Sequence, residues 1–255
     1  MVPSRDSPLT RRVGRSGPAD YFTATRQPLH CLVFLLPLLI ACEIAAVLVS
    51  GTACPDSRLV APRLLQRLVA WLGTDAAWVP GAVLLLTLLV WQVLSGHPWR
   101  VRAGVPLLMI PESLLLALPL LVLNQLLQQT AAGSADPQSA ALPAHILVAL
   151  GAGLYEELVF RFYLITGLAW LLARLARLPR RSALGVAAAL AALLFAACHF
   201  RPVGVEPFRW ARLVLLTVAG GYLGLVFVTR GLGIATGCHV AHNLIALLLA
   251  HQRAT

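Results

Sequence analysis

Three short polar groupings interrupt otherwise apolar runs of this 255-residue chain: "EELVFR" at Glu156–Arg161, "FAACH" at Phe195–His199 and "HVAHN" at His239–Asn243. A charge held at the centre of a bilayer costs ~2.5–3.5 kcal/mol on insertion scales, so such side chains face a bundle interior or a water-filled cavity. Glu157 and Arg161 are four positions apart, share one helix face and can pair. Glu156 points ~100° away from Glu157 on a helix and has no partner within its own run. His199 closes a long Ala-rich run. His239 and Asn243 share a face, and His242, three positions from His239, lies partly on that side with no role that its position assigns.

These types are chemically complementary. A carboxylate and a histidine can hold and deprotonate a water. A histidine and an asparagine can donate hydrogen bonds to a developing oxyanion. Together they make a set suited to amide hydrolysis. Glutamate with two histidines and an open water position is also a catalytic zinc set, so the residues alone leave metal-free and zinc-dependent chemistry both open. The bland alternatives are an ion pair that locks helices together, for Glu157 and Arg161, and an interhelical hydrogen-bond cluster of ~0.6 kcal/mol per contact, for the third grouping. Cys198–His199 and Cys238–His239 form no local thiol–imidazole dyad, because adjacent side chains on a helix diverge by ~100°, which disfavours a cysteine nucleophile.

The elements that carry these residues are read from hydropathy. The chain is 59% apolar and 12% charged, against roughly 25% charged in soluble domains. Seven apolar spans, at 28–50, 78–96, 104–127, 144–175, 182–200, 210–229 and 233–251, have lengths suited to a hydrocarbon core of ~30 Å. The expected fold is all-α, a polytopic membrane helix bundle. The fourth span would be ~48 Å long as an α-helix, so it must tilt, break or extend beyond the core. Residues 61–72, "APRLLQRLVAWL", place Leu64, Leu65, Leu68, Val69 and Leu72 on one face and predict a short amphipathic helix on the membrane surface. Residues 1–27 are polar with five arginines and read as a disordered cytosolic tail. Residues 28–127 form the N-terminal spans, and 144–251 carry all three groupings.

The net charge of +10 comes from arginine alone. With the N-terminus inside, twelve arginines fall inside, seven outside, and Arg161 within a span. That is the positive-inside bias, and it excludes a nucleic-acid partner as the reason for the charge. The five cysteines form no CxxC pair and read as small buried side chains. "LIAC" at Leu39–Cys42 has the look of a lipoprotein cleavage box, but the apolar run continues to Val49, which favours an uncut spanning helix.

At the three groupings the chain resembles the CAAX-protease and bacteriocin-processing (Abi) family of intramembrane proteases, whose pattern is E-E-x-x-x-R, F-x-x-x-H and H-x-x-x-N on separate membrane helices. Order and spacing both fit, over about residues 144–251. Phe162 stands where members usually have glycine after the motif arginine. The resemblance implies that Glu156 and His199 activate water, that His239 and Asn243 stabilise the oxyanion, and that Glu157 and Arg161 orient and balance the site. It implies a bacterial cytoplasmic-membrane endopeptidase whose substrate is a membrane-associated peptide, either lipidated, leader-bearing or with a hydrophobic tail. It implies no metal or other cofactor, with zinc as the alternative. A non-enzymatic membrane protein is the competing class, an immunity factor or a transporter using buried charge for binding or proton movement. Glu43, Glu112, Asn124 and Gln125 would line its path, although Pro111 before Glu112 reads as a helix start.

Overall fold

In hydrocarbon, each backbone N–H and C=O must find its partner inside the protein, and a helix does this within one segment. The apolar runs of this chain follow that rule. A computed structural model of the chain describes residues 18–49, 78–130, 142–201, 203–204 and 206–254, and these are helical apart from short connections and one isolated bridge between Phe200 and Glu206. The helices are α1 (Pro18–Ala24), α2 (Pro28–Val49), α3 (Val79–Ser95), α4 (Gly104–Thr130), α5 (Leu142–Gly151), a π-helical segment (Ala152–Ile165), α6 (Thr166–Leu175), α7 (Arg180–Ala197), α8 (Trp210–Arg230) and α9 (Leu232–Ala254).

Each of the seven expected spans appears as helix. Six are long and apolar enough to cross a membrane, among them the continuous rod Ala144–Leu175; α3 is a shorter apolar helix of 17 residues, ~25 Å at 1.5 Å per residue. The amphipathic stretch 61–72 and Cys54 lie outside the described residues. Cys31, Cys42 and Cys238 are buried free thiols, and Cys198 is half-buried. Leu86, Leu94, Leu115, Val122, Val218 and Leu225 point outward, which in a bilayer is the face turned to lipid.

The core is organised around α9. It packs against α4, α5, the π segment, α8 and α2, and every residue from Gly231 to Val240 is buried. His239 lies at the end of this buried stretch. Leucines of α2, α3, α5 and the π segment pack as one cluster with Leu232 and Val240. Met109 of α4 and Val226 of α8 pack with Ile234 and Ala235 on another side of α9.

Two expectations are corrected here. Residues 18–27 do not belong to a structureless tail. Helix α1 folds onto the end of α8, with Ala24 and Thr25 fully buried. The last carbonyls of a helix lack amide donors, and this segment supplies them. Arg26 donates to Val228 O at 2.9 Å and, through Nε, to Thr229 O at 3.1 Å, while Thr25 Oγ1 donates to Arg230 O. Gly231, at φ +92, then turns the chain directly into α9.

The second correction concerns Pro111, which starts no helix; α4 runs through both Pro111 and Pro119. Membrane helices tolerate proline where neighbouring groups adjust around the break, and Tyr222 donates its hydroxyl to Leu116 O at 2.7 Å, next to the Leu115 carbonyl that Pro119 leaves without its amide donor. Glu112 consequently sits inside a helix and is engaged. It pairs with the Arg230 guanidinium, whose Nη2 lies at 2.8 Å, and accepts from Tyr21. Burial and the Glu112 carboxylate push the Tyr21 phenol well above its ordinary pKa, which keeps it a donor.

This latch joins α1, α4 and α8 next to the turn that leads into α9. Arg230→Gln, which strips a charged hydrogen-bonded pair, is expected to cost about 2 kcal/mol in unfolding experiments in detergent. Combining it with Glu112→Gln should cost less than the sum of the single changes. Wild-type stability in both single variants would mean that the latch contributes nothing.

Candidate active site

The "GAGLYEELVFRFY" stretch does not continue the α-helix that precedes it. From Ala152 to Ile165 the backbone bonds i→i+5, a form that is rare and usually confined to single-turn bulges, frequently at functional sites. With more than four residues per turn, neighbouring side chains diverge by less than the ~100° of an α-helix, and side chains four apart remain nearly in line. Where i→i+5 bonding reverts to i→i+4, a carbonyl loses its amide donor; the Thr166 hydroxyl donates to Phe162 O at that junction. Gly153 sets the distance between this segment and α9. A Cβ there would lie 2.3 Å from Val240 Cγ2 and 2.9 Å from Val240 N, so only glycine permits the approach.

That approach places Glu157 at the centre of the site. Its Oε1 lies 2.9 Å from Arg161 Nη1 and 2.8 Å from His239 Nδ1. Glu157 is 0% exposed, Arg161 1% and His239 7%. The expected Glu157–Arg161 pair is present, as an ion pair at contact distance with no aligned hydrogen bond from Nη1. The His239 contact was not expected, because spacing grouped His239 with Asn243 on its own helix face. The Arg161 guanidinium carbon stands 4.4 Å over the Phe195 ring, and Nη2 reaches Gly220 O at 3.4 Å. A buried charge survives only when paired or otherwise compensated, and Arg161 is compensated by a carboxylate, an aromatic face and a carbonyl.

His199 sits just beyond the end of α7, which closes at Ala197 with Cys198 as its cap. Its Nδ1 lies 2.8 Å from Phe195 O. A carbonyl only accepts, so Nδ1 carries a proton, and in the neutral ring Nε2 keeps its lone pair. The Phe195 ring stands 4.8 Å from the His199 ring and 6.4 Å from that of His239, so one aromatic side chain links both histidines and Arg161. The chain after His199 folds back on it: Glu206 N donates to His199 O at 3.2 Å, and the Glu206 carboxylate pairs with Arg212. Neither Glu206 nor Arg212 stood out in the sequence, because an ion pair between a loop residue and a helix residue six positions on follows no helical spacing.

Glu156 behaves differently from its neighbour. It is 5% exposed, and among the described residues no hydrogen bond or ion pair engages its carboxylate. It lies within electrostatic reach of the Cys198 thiol, which places it near the end of α7 that carries His199. Asn243 has partners other than His239. Its Nδ2 donates to Ala149 O at 3.1 Å, and its Oδ1 faces His242 Nδ1 at 2.9 Å. The residues thus form one group around Glu157, Arg161, Phe195, His239 and His199, and a second around Asn243, His242 and Ala149. The rings of His239 and His242, 6.5 Å apart, join the two.

As a metal centre the donors fit poorly. The carboxylate beside His239 is shared with Arg161, and among the described residues no three His, Cys, Asp or Glu side chains converge in a ligand arrangement.

Residues 138–245, which include every residue of both groups, match the family model described as type II CAAX prenyl endopeptidase Rce1-like. No curated protein and no solved structure matches the chain.

The architecture makes Arg161 and Gly153 the sensitive positions. Arg161→Gln leaves the Glu157 carboxylate undercompensated in the core and is expected to cost about 3–5 kcal/mol. Gly153→Val should destabilise the fold, because the branched side chain meets the α9 backbone. Thermal unfolding in detergent micelles checks both, and a melting temperature unchanged in either variant contradicts the packing described.

Proposed function

With residues 138–245 matching the family model of Rce1-like type II CAAX prenyl endopeptidases, we propose that the chain is an intramembrane endopeptidase that cleaves a peptide bond with water activated by Glu156 and His199. One observation carries this reading: Glu157 is neutralised by Arg161 and His239, while Glu156, one residue away, is buried and unpaired beside the end of α7.

The reaction runs on the groups present. Glu156 takes a proton from water as the water oxygen bonds to the scissile carbonyl carbon. His199 Nε2, with its lone pair exposed by the Nδ1–Phe195 bond, orients that water. The carbonyl oxygen becomes an oxyanion, which His239 and Asn243 stabilise by donating from Nε2 and from the second amide N–H. His239 Nδ1 faces the Glu157 carboxylate, which only accepts, so Nε2 donates to the oxyanion in the doubly protonated ring. As the carbon–nitrogen bond breaks, the proton held by Glu156 passes to the leaving amine.

The substrate is a membrane-associated peptide, lipidated or bearing a leader or hydrophobic tail, and the chemistry needs no metal. The excess of arginine on one side of the spans supports a cytosolic N-terminus in a bacterial cytoplasmic membrane. The competing reading, buried charges serving binding or proton movement, loses support because its carboxylates are engaged: Glu112 by Arg230 and Tyr21, and Glu43 by the Tyr155 hydroxyl at 3.4 Å.

Mass spectrometry of membrane peptides from cells producing wild type or Glu156→Gln tests the reading even while the substrate is unidentified. Product peptides should appear with wild type and fall by about 10²–10⁴-fold with Glu156→Gln. Identical peptide profiles would rule out Glu156-dependent proteolysis. With purified protein and a farnesylated CAAX peptide or a product precursor so identified, a strong chelator should leave the rate unchanged. Loss of the rate with chelator and its recovery with zinc would overturn the metal-free mechanism.

A further inference from the structure

His242 precedes Asn243, and the mechanism above does not use it. The geometry around the two residues is nevertheless specific. Ala149 O only accepts, so the end of the Asn243 amide that faces it at 3.1 Å is the nitrogen. The amide oxygen then faces His242 Nδ1 at 2.9 Å. That oxygen also only accepts, so His242 carries its proton on Nδ1 and a lone pair on Nε2. The carboxamide is held at both ends, and one of its two N–H groups stays free.

We infer that His242 is a positioning residue that locks the Asn243 carboxamide, by donating from Nδ1 to Oδ1, so that the free amide N–H is aimed at the oxyanion. The inference rests on the proposed role of Asn243 as an oxyanion donor. Its physical basis is the freedom of the group it restrains. The terminal torsion of asparagine is broad, and a single anchor at Ala149 leaves the amide plane free to tilt. His242 and Asn243 are only half-buried, just past the fully buried stretch Gly231–Val240, so packing alone does not fix them. A hydrogen bond into Oδ1 also draws charge from the amide nitrogen and strengthens the remaining N–H as a donor. A preset donor needs no reorganisation when the oxyanion forms, the condition under which such a group acts most strongly.

The test compares His242→Leu, which removes the donor, with His242→Asn, whose amide nitrogen can occupy the place of Nδ1. Asn243→Ala and the double variant His242→Leu/Asn243→Ala complete the set. Rates are read with the farnesylated CAAX peptide or the precursor peptide identified in membranes. His242→Leu should lower kcat about 10- to 100-fold, a fraction of the effect of deleting an oxyanion donor outright, with KM and melting temperature unchanged. His242→Asn should recover most of kcat, and the double variant should be no slower than Asn243→Ala alone. In ¹⁵N-histidine-labelled wild type without substrate, the NMR signal missing from His242→Asn should show a protonated Nδ1. Full kcat in His242→Leu beside an impaired Asn243→Ala overturns the positioning role and leaves the proposed function standing. Full kcat in Asn243→Ala overturns the oxyanion role and this inference with it. A protonated Nε2 with bare Nδ1 at His242 overturns the inference whatever the rates.

Discussion

A carboxylate buried in a membrane bundle must be held, and in this protein Glu157 is held from two sides, by Arg161 from its own helix and by His239 from α9. The arrangement around the site depends on that contact. It requires the motif helix and α9 to approach more closely than side chains normally allow, which Gly153 permits against Val240. It requires Arg161 to find further compensation, which the Phe195 ring and Gly220 O supply. Phe195 in turn offers its carbonyl to His199 and its ring to both histidines. The ion pair and the two histidines are therefore parts of one packed unit.

The same contact separates the roles of two adjacent glutamates. Identical side chains one residue apart differ in their partners and not in type. Glu157 is engaged by Arg161 and His239. Glu156 keeps its carboxylate unpaired near the end of α7, where His199 presents Nε2. An ionisable side chain without a partner is rare inside a membrane bundle, which makes Glu156 the candidate for chemistry. The latch of α1 on α4 and α8 lies remote in sequence from this site, yet it braces the Gly231 turn from which α9 departs. In that way it helps set where His239 and Asn243 stand.

Much of this was legible in the residues themselves. Hydropathy located the spans because apolar run length is a direct measure of hydrocarbon thickness. The four-residue spacing of Glu157 and Arg161 survives in the structure because both α- and π-helical geometry keep such positions nearly in line. The π-helical bonding itself had no signature, since i→i+4 and i→i+5 patterns both satisfy the backbone and no residue type in "AGLYEELVFRFYLI" distinguishes them. The order of α1 was invisible because its partners, Glu112 and Arg230, lie 91 or more residues away. Pro111 misled for a related reason: its cost within a helix is a local rule, whereas its tolerance depends on neighbours. The tie between Glu157 and His239 spans 82 residues, and spacing within one helix carries no information about it.

In the proposed mechanism one glutamate holds the site while its neighbour does the chemistry. It is tested most directly by measuring thermal unfolding and turnover together for Glu156→Gln and Glu157→Gln in the same membrane preparation. The two properties should separate: Glu156→Gln melts like wild type and has lost its turnover, whereas Glu157→Gln melts at a clearly lower temperature. A Glu156→Gln protein that turns over normally, or a Glu157→Gln protein that is as stable as wild type, would contradict it.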